Sequence, residues 1–251
     1  MPGFVTIEEH GDVALVRVDR PPANAMDTEL LADGHAVLEE LAAAEPGSVV
    51  LTGRDGFFSA GMDLKVAPTL DAAGQQAAVE GINRLFLGWY SFPRPVVCAV
   101  NGHAIAGGLI LALCGDYRVG NGQGKLGLTE LRAGLGFPLA AMAVVKAELT
   151  PATVRVLALG TELVDQRRGL ELELLDELAE PDALMDRALE LAAGYAALPQ
   201  GVYARVKDQV RGDMVRELRA ALERGADPTL SGWVADETAA ASAGILDRSG
   251  A

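Results

Sequence analysis

Val96-Val97-Cys98-Ala99-Val100-Asn101-Gly102, followed at once by His103-Ala104-Ile105-Ala106-Gly107-Gly108, is the stretch that decides the fold class. Five apolar residues ending at Asn101-Gly102 predict a short buried strand. The glycine turn over residues 104–108 then opens a short helix at 108–113, and Asp116-Tyr117-Arg118-Val119 returns as a strand. Upstream the same succession recurs. Phe4-Val5-Thr6-Ile7 and Val13-Ala14-Leu15-Val16-Arg17-Val18 read as strands joined through Gly11 and Asp12. Asp27 reads as a helix N-cap, and Leu30, Leu31, Ala36, Val37, Leu38 and Leu41 keep helical periodicity to Ala44. Val49-Val50-Leu51-Thr52 is a further short strand, and a helix over 71–90 must stop at Phe92-Pro93-Arg94-Pro95. Strands that lead repeatedly into glycine turns and helices make an α/β protein, with ligand sites expected where the strands end.

From about Leu139 the pattern turns almost purely helical, over 140–148, 151–159, 182–197, 201–224 and a last piece near 233–241. Val202, Val206, Val210, Met214 and Leu218 form a helical stripe that predicts a packing face. The expected division is a core over 1–195 and a C-terminal helical region over 196–251 that serves subunit assembly and carries no obvious chemistry.

The chain of 251 residues is long enough for a sizeable core, and its net charge of −14 argues against nucleic acid and anionic membranes as partners. An anionic small molecule remains admissible through a local cationic patch or a helix N-terminus. Cys98 and Cys114 sit in apolar stretches without metal-ligand spacing, which predicts buried free thiols, no metal and a reducing compartment. No apolar run reaches the ~20 residues of a membrane span, and no signal pattern opens the chain, so the expectation is a cytoplasmic protein.

The chemistry resides in two glycine turns and a carboxylate. Ser59-Ala60-Gly61-Met62-Asp63 and Ala104-Ile105-Ala106-Gly107-Gly108 lie about 45 residues apart, and Glu130 follows in Gly127-Leu128-Thr129-Glu130. Glycines let bare backbone N–H groups approach a ligand oxygen, one donor coming from the turn at Gly61-Met62 and another from Gly107 at a helix start. Two such donors stabilise the negative charge that a thioester carbonyl gains when a neighbouring C–H is deprotonated, and a carboxylate can move the proton.

These segments resemble the crotonase, or enoyl-CoA hydratase/isomerase, superfamily. The likeness is carried by Phe57-Phe58-Ser59-Ala60-Gly61-Met62-Asp63-Leu64, by residues 99–108 through Cys114-Gly115-Asp116, by Gly127-Leu128-Thr129-Glu130, and more coarsely by Arg20-Pro21-Pro22-Ala23-Asn24-Ala25-Met26. The resemblance implies a superhelix of repeated strand-strand-helix units with C-terminal helical trimerisation, as a homotrimer or a dimer of trimers. It implies an acyl-CoA thioester substrate, no cofactor beyond the coenzyme A that the substrate carries, and an oxyanion hole from the N–H groups of Met62 and Gly107. Asn24, Ala25, Ala60, Gly61, Asp63 and Leu64 are then expected along the substrate path, with Gly108, Ile110, Leu135 and Pro138 as further substrate-binding residues.

Hydratases of this family use two glutamates to hold and activate water; Ile110 stands at the first position and Glu130 at the second. Isoleucine can neither accept a proton nor orient water. A single carboxylate suits a 1,3-proton shift, and Pro138 eight residues past Glu130 also looks like the 3,2-enoyl-CoA isomerases. Isomerisation with Glu130 as acid and base is the leading expectation; hydration and silent acyl-CoA binding are the alternatives. Glu130 is expected to have a raised pKa among Leu128, Leu135 and Ile110. His103 and Asp116 are read as structural, Asp63 as a cap, and Lys65 and Arg54 as candidates for coenzyme A phosphates. Pro22-Ala23 replaces the basic residue that often precedes the family asparagine.

Overall fold

A computed structural model describes residues 3–234 and 236–249. Strands β1 (Val5–His10) and β2 (Val13–Val18) form an antiparallel hairpin in which Val5 pairs Val18 and His10 pairs Val13. Gly11 supplies the positive φ, +63°, that its turn requires. After β3 (Ala25–Met26), Asp27 caps α1 (Thr28–Ala44) by accepting from the Leu30 N–H at 2.9 Å. Then come β4 (Ser48–Thr52), β5 (Gly56–Ser59), β6 (Gly61–Met62) and α2 (Ala72–Tyr90), which Asp71 caps. The deciding stretch becomes β7 (Val96–Val100), β8 (Gly102–Ile105) and α3 (Gly107–Leu113), followed by β9 (Tyr117–Gly120) and β10 (Lys125–Gly127).

The remainder holds α4 (Leu139–Glu148), α5 (Pro151–Val154) running into a π-helical turn at Arg155–Leu159, β11 (Val164–Asp165), α6 (Gln166–Glu171) and β12 (Glu177–Leu178). Helices α7 (Leu184–Ala196), α8 (Gln200–Glu223) and α9 (Asp236–Ser249) complete it. The C-terminal part is thus less purely helical than its sequence predicts, because β11 and β12 are two residues long and leave no periodicity to read. Of the expected assembly region, residues 235, 250 and 251 lie outside the described residues.

Six strands form one sheet in the order β1-β2-β4-β7-β9-β12, parallel from β2 onward. Strands β4 and β7 are buried throughout, so both faces must be covered. Alternation divides their side chains: Val49, Leu51, Val96, Cys98 and Val100 join the main core with α1, α2 and α3. Val50, Val97 and Ala99 face Leu184, Ala188 and Ala192 of α7. A second sheet, β11-β10-β8-β5, and the small pair β3-β6 carry the loops that matter for chemistry.

On α8 the stripe read as a packing face turns away from this chain's core over most of its length. Val202, Val206 and Val210 are exposed, Val210 by 78%, and only the lower end of that stripe packs. The buried side carries Lys207 and Arg211 together with Val215 and Leu218. Their charges are matched by acids from the core: Lys207 Nζ lies 2.7 Å from Asp116, and Arg211 lies 3.1 Å from Asp116 and 3.3 Å from Glu148. Buried cations are tolerated where carboxylates and carbonyls surround them. Asp116 also accepts from the Val96 N–H, so it joins the helix to the sheet.

Candidate active site

The two glycine turns are placed side by side by β5 and β8, which pair in parallel with Ser59 opposite Ala104. The next strand, β10, pairs with β8 so that Gly127 lies opposite Ile105. Three strands therefore end at one edge and release the Gly61 turn, the Gly107 turn and the Glu130 segment into the same space. A short parallel pairing of Ala25 with Gly61 and Met26 with Met62 holds the first turn from its other side.

The approach is close enough to require glycine at two positions. A Cβ on Gly61, whose φ is +78°, would lie 2.8 Å from the Ile105 oxygen and 2.9 Å from the Gly107 nitrogen. A Cβ on Gly108 would lie 2.1 Å from the Ser59 oxygen. Ala106, between the turns and α3, takes φ 51° and ψ −125°, a region that costs a residue with a side chain about 1–3 kcal/mol. Its N–H is held by the Gly127 oxygen at 2.8 Å, which ties that conformation to β10. Gly107 is the first residue of α3, and a first helical N–H has no intrahelical acceptor.

Glu130 begins a 3-10 turn, Glu130–Ala133, and only 9% of it is exposed. Its Oε2 is buried and has no hydrogen-bond partner. Burial pushes its pKa up to about 8, with the Glu130 backbone N–H pulling weakly the other way. Glu130 lines a cavity of about 60 Å3. Ile110, buried on α3, shares that cavity, as do Ala60, Met62, Leu64, Gly107, Leu135 and Pro138. The walls are otherwise mainly apolar, and among the described residues Glu130 is the one ionisable residue in them.

Other residues named from the sequence stand outside the cavity wall. Asn24 is wholly buried, with Nδ2 donating to the Val18, Phe57 and Phe58 oxygens and Oδ1 accepting from the Arg20 N–H. Its side chain has nothing left for a substrate and instead locks the loop against β5. The Ala25 oxygen accepts from Arg20. Asp63 pairs with Arg20 at 3.3 Å and accepts from the Lys65 N–H at 2.9 Å. Gly61 and Gly108 act through the space they leave rather than by lining the cavity. His103 stacks on Phe57 at 4.8 Å and accepts from the Lys125 N–H, away from the site. Lys65 is exposed, and Arg54 has one buried guanidinium nitrogen without a partner.

Sequence reasoning missed Met26, Ile82, Phe86, Thr129 and Trp233, all of which line the cavity. Ile82 and Phe86 are spaced i,i+4 on α2, a signal that was legible as a buried face but not as a pocket wall. Trp233, 4% exposed, comes from the tail that showed no chemistry. Its indole N–H donates to the Gly136 oxygen at 3.0 Å. Val234 bridges Leu135, Thr238 donates to the Gly134 oxygen, and Ser242 donates to the Ala133 oxygen. The C-terminal segment thus closes over the Glu130 turn of its own chain.

Cys98 and Cys114 are buried free thiols. Among the described residues no group of three or more His, Cys, Asp or Glu could hold a metal ion, and no helix is long and apolar enough to cross a membrane.

A family model described as enoyl-CoA hydratase/isomerase matches residues 8–231. A probable enoyl-CoA hydratase, EchA17, of Mycobacterium tuberculosis is 30% identical over 213 residues, 82% of this chain and 82% of that protein. A putative enoyl-CoA hydratase of Thermus thermophilus is 35% identical over 190 residues, 73% of this chain and 74% of that one. The crystal structure of human mitochondrial delta3-delta2-enoyl-CoA isomerase superposes with a TM-score of 0.90 at 26% identity, covering 98% of each chain.

Proposed function

Because the chain belongs to the enoyl-CoA hydratase/isomerase family, we propose that this family enzyme is a 3,2-enoyl-CoA isomerase with Glu130 as its acid and base. The observation that carries the reading is Glu130, buried with its Oε2 unpartnered, in the wall of a cavity it shares with Ile110. Glu130 takes a proton from C2 of a 3-enoyl thioester, and the electron pair moves onto the thioester oxygen as a dienolate. The N–H groups at Met62 and Gly107 stabilise that oxygen. The protonated carboxyl then returns the proton to C4, leaving the double bond at C2–C3 and the enzyme unchanged. An apolar wall suits this sequence of steps, since it keeps water from the dienolate and keeps the acid's pKa near neutrality.

A second reading is hydration. Thr129, which lines the same cavity, precedes the Glu130 turn without using its hydroxyl as a cap, which leaves that hydroxyl to share a water with Glu130. Purified protein incubated with 3-enoyl-CoA and, separately, with 2-enoyl-CoA separates the readings. Conjugated 2-trans product from the first, abolished in Glu130→Gln, supports isomerisation, and an undiminished rate in that variant overturns it. 3-Hydroxyacyl-CoA from the second supports hydration. Tight acyl-CoA binding with no turnover selects a silent binder.

The same reading includes an acyl-CoA substrate without a further cofactor, a cytoplasmic location, and Lys65 and Arg54 as phosphate contacts. It also includes a homotrimer or dimer of trimers, for which the exposed Val202, Val206 and Val210 of α8 are the supporting surface. A solution mass at three or six times 26.1 kDa is the expected result.

A further inference from the structure

A second cavity lies behind the first. It has a volume of about 30 Å3, against about 60 Å3 for the cavity at Glu130, and among the described residues Met26 is the one that lines both. The surrounding elements alternate across this partition. On β5-β6 Ser59 faces the second cavity and Ala60 the first; on α2 Leu85 and Phe86 divide in the same way; on α3 Leu111 and Ile110 do so. One layer of side chains therefore separates the spaces. Met26 stands in that layer close to the reacting end, its Sδ 3.5 Å from the position a Cβ on Gly107 would take.

The second cavity is suited to hydrocarbon. Its walls are side chains such as Val18, Leu31, Leu51 and Trp89, and its polar residues are Asn24 and Ser59. Both are satisfied within the protein: Ser59 Oγ donates to the Asn24 oxygen and accepts from the Gly61 N–H, and the Asn24 amide is fully engaged as described above. An apolar void of this kind has no use for water and gains from a methylene. Methionine is the side chain best able to swing aside, being unbranched with three rotatable bonds.

We propose that Met26 sets the acyl-chain limit of this site, as the movable partition between the reaction cavity and an apolar extension that takes the end of a longer chain. The assignment rests on the acyl-CoA reading given above, and the two are tested apart. Affinities of saturated acyl-CoAs of stepwise increasing length are measured by calorimetry for the wild type and for Met26→Ala. In the wild type affinity rises with length and levels off. In Met26→Ala the rise continues further, by about fourfold for each additional methylene that is accommodated. An identical profile in the two proteins overturns the role of Met26 while leaving the acyl-CoA reading intact. A wild type that binds no acyl-CoA of any length overturns both. Should Met26→Ala fail to fold, Met26→Val, which suits the strand and also shortens the side chain, is expected to extend the profile in the same direction, and its failure to do so counts against the proposal.

Discussion

Gly61 and Gly107 touch: the position of a Cβ on the first lies 2.9 Å from the nitrogen of the second. The proposed two donors are thus set by direct backbone contact between turns that are far apart in the chain, braced by β3 on one side and β10 on the other. A device of this kind holds its geometry without reorganising, which is what makes fixed N–H groups effective against developing charge.

Replacing Gly61 by alanine must push the turns apart, and the expected loss in kcat/KM is about 100-fold, with native circular dichroism retained. Gly56 supplies the control, because it has the same φ of +78° but open space around its Cβ position. Gly56→Ala should carry the backbone strain and keep near-normal turnover. Equal losses in both variants would show that strain, not the contact, is responsible.

The carboxyl of Glu130 must be ionised to take the C2 proton. With its pKa at about 8, kcat/KM should climb tenfold per pH unit on the acid side and level off above about pH 8. A profile already flat from pH 5 upward would contradict the burial assigned to this group.

Stability follows the opposite course. A carboxyl whose pKa is higher in the folded protein than in the unfolded chain stabilises fully below the unfolded value, and that contribution is lost as pH rises toward the folded value. Wild type should therefore weaken relative to Glu130→Gln between 4.5 and about 8, by about 1.4 kcal/mol for each unit of the shift at most. Thermal melts of the two proteins across that range measure how the difference changes, and it should be independent of pH below about 4.

Much of this site was legible in the chain, and the legible part has a common cause. Gly61, Gly107 and Glu130 sit at strand ends within local motifs, so each announces itself over five or six residues. What stayed hidden depends on partners far away in sequence. Asn24 reads as a substrate contact until its amide is found clasping Val18, Phe57 and Phe58. Nothing beside Lys207 and Arg211 in the chain shows that α8 turns them inward onto Asp116 and Glu148. The strands β3 and β6 are too short for any period, yet their pairing places Met26 and Met62 at the cavity.

Ile110→Glu restores a second carboxylate to the cavity wall. Two acids in an apolar space share charge poorly, so one of them should hold its proton through neutral pH while the other accepts hydrogen bonds from water. Hydration of a 2-enoyl-CoA should rise relative to isomerisation of the 3-enoyl isomer, at a cost in stability of about 2–3 kcal/mol for the buried acid. Product analysis by chromatography gives the ratio, and a ratio no higher than that of the wild type would show that Ile110 does not decide between the reactions.

Trp233 is the tail's contribution to the dry environment of Glu130. It is held by its N–H bond to Gly136, and Thr238 and Ser242 fasten the following helix to the Glu130 turn. Removing the indole in Trp233→Ala leaves room for water beside a carboxyl whose raised pKa comes first from burial. The midpoint of the kcat/KM profile should then fall from about 8 toward the ordinary carboxylate range, while activity at high pH drops because the dienolate is no longer shielded. Trp233→Phe keeps the apolar bulk and loses only the N–H, so its midpoint should stay close to that of the wild type. A midpoint in Trp233→Ala that does not move would mean that the α2 and α3 walls alone keep Glu130 dry, and that the tail's fold over the site serves stability and not the acid.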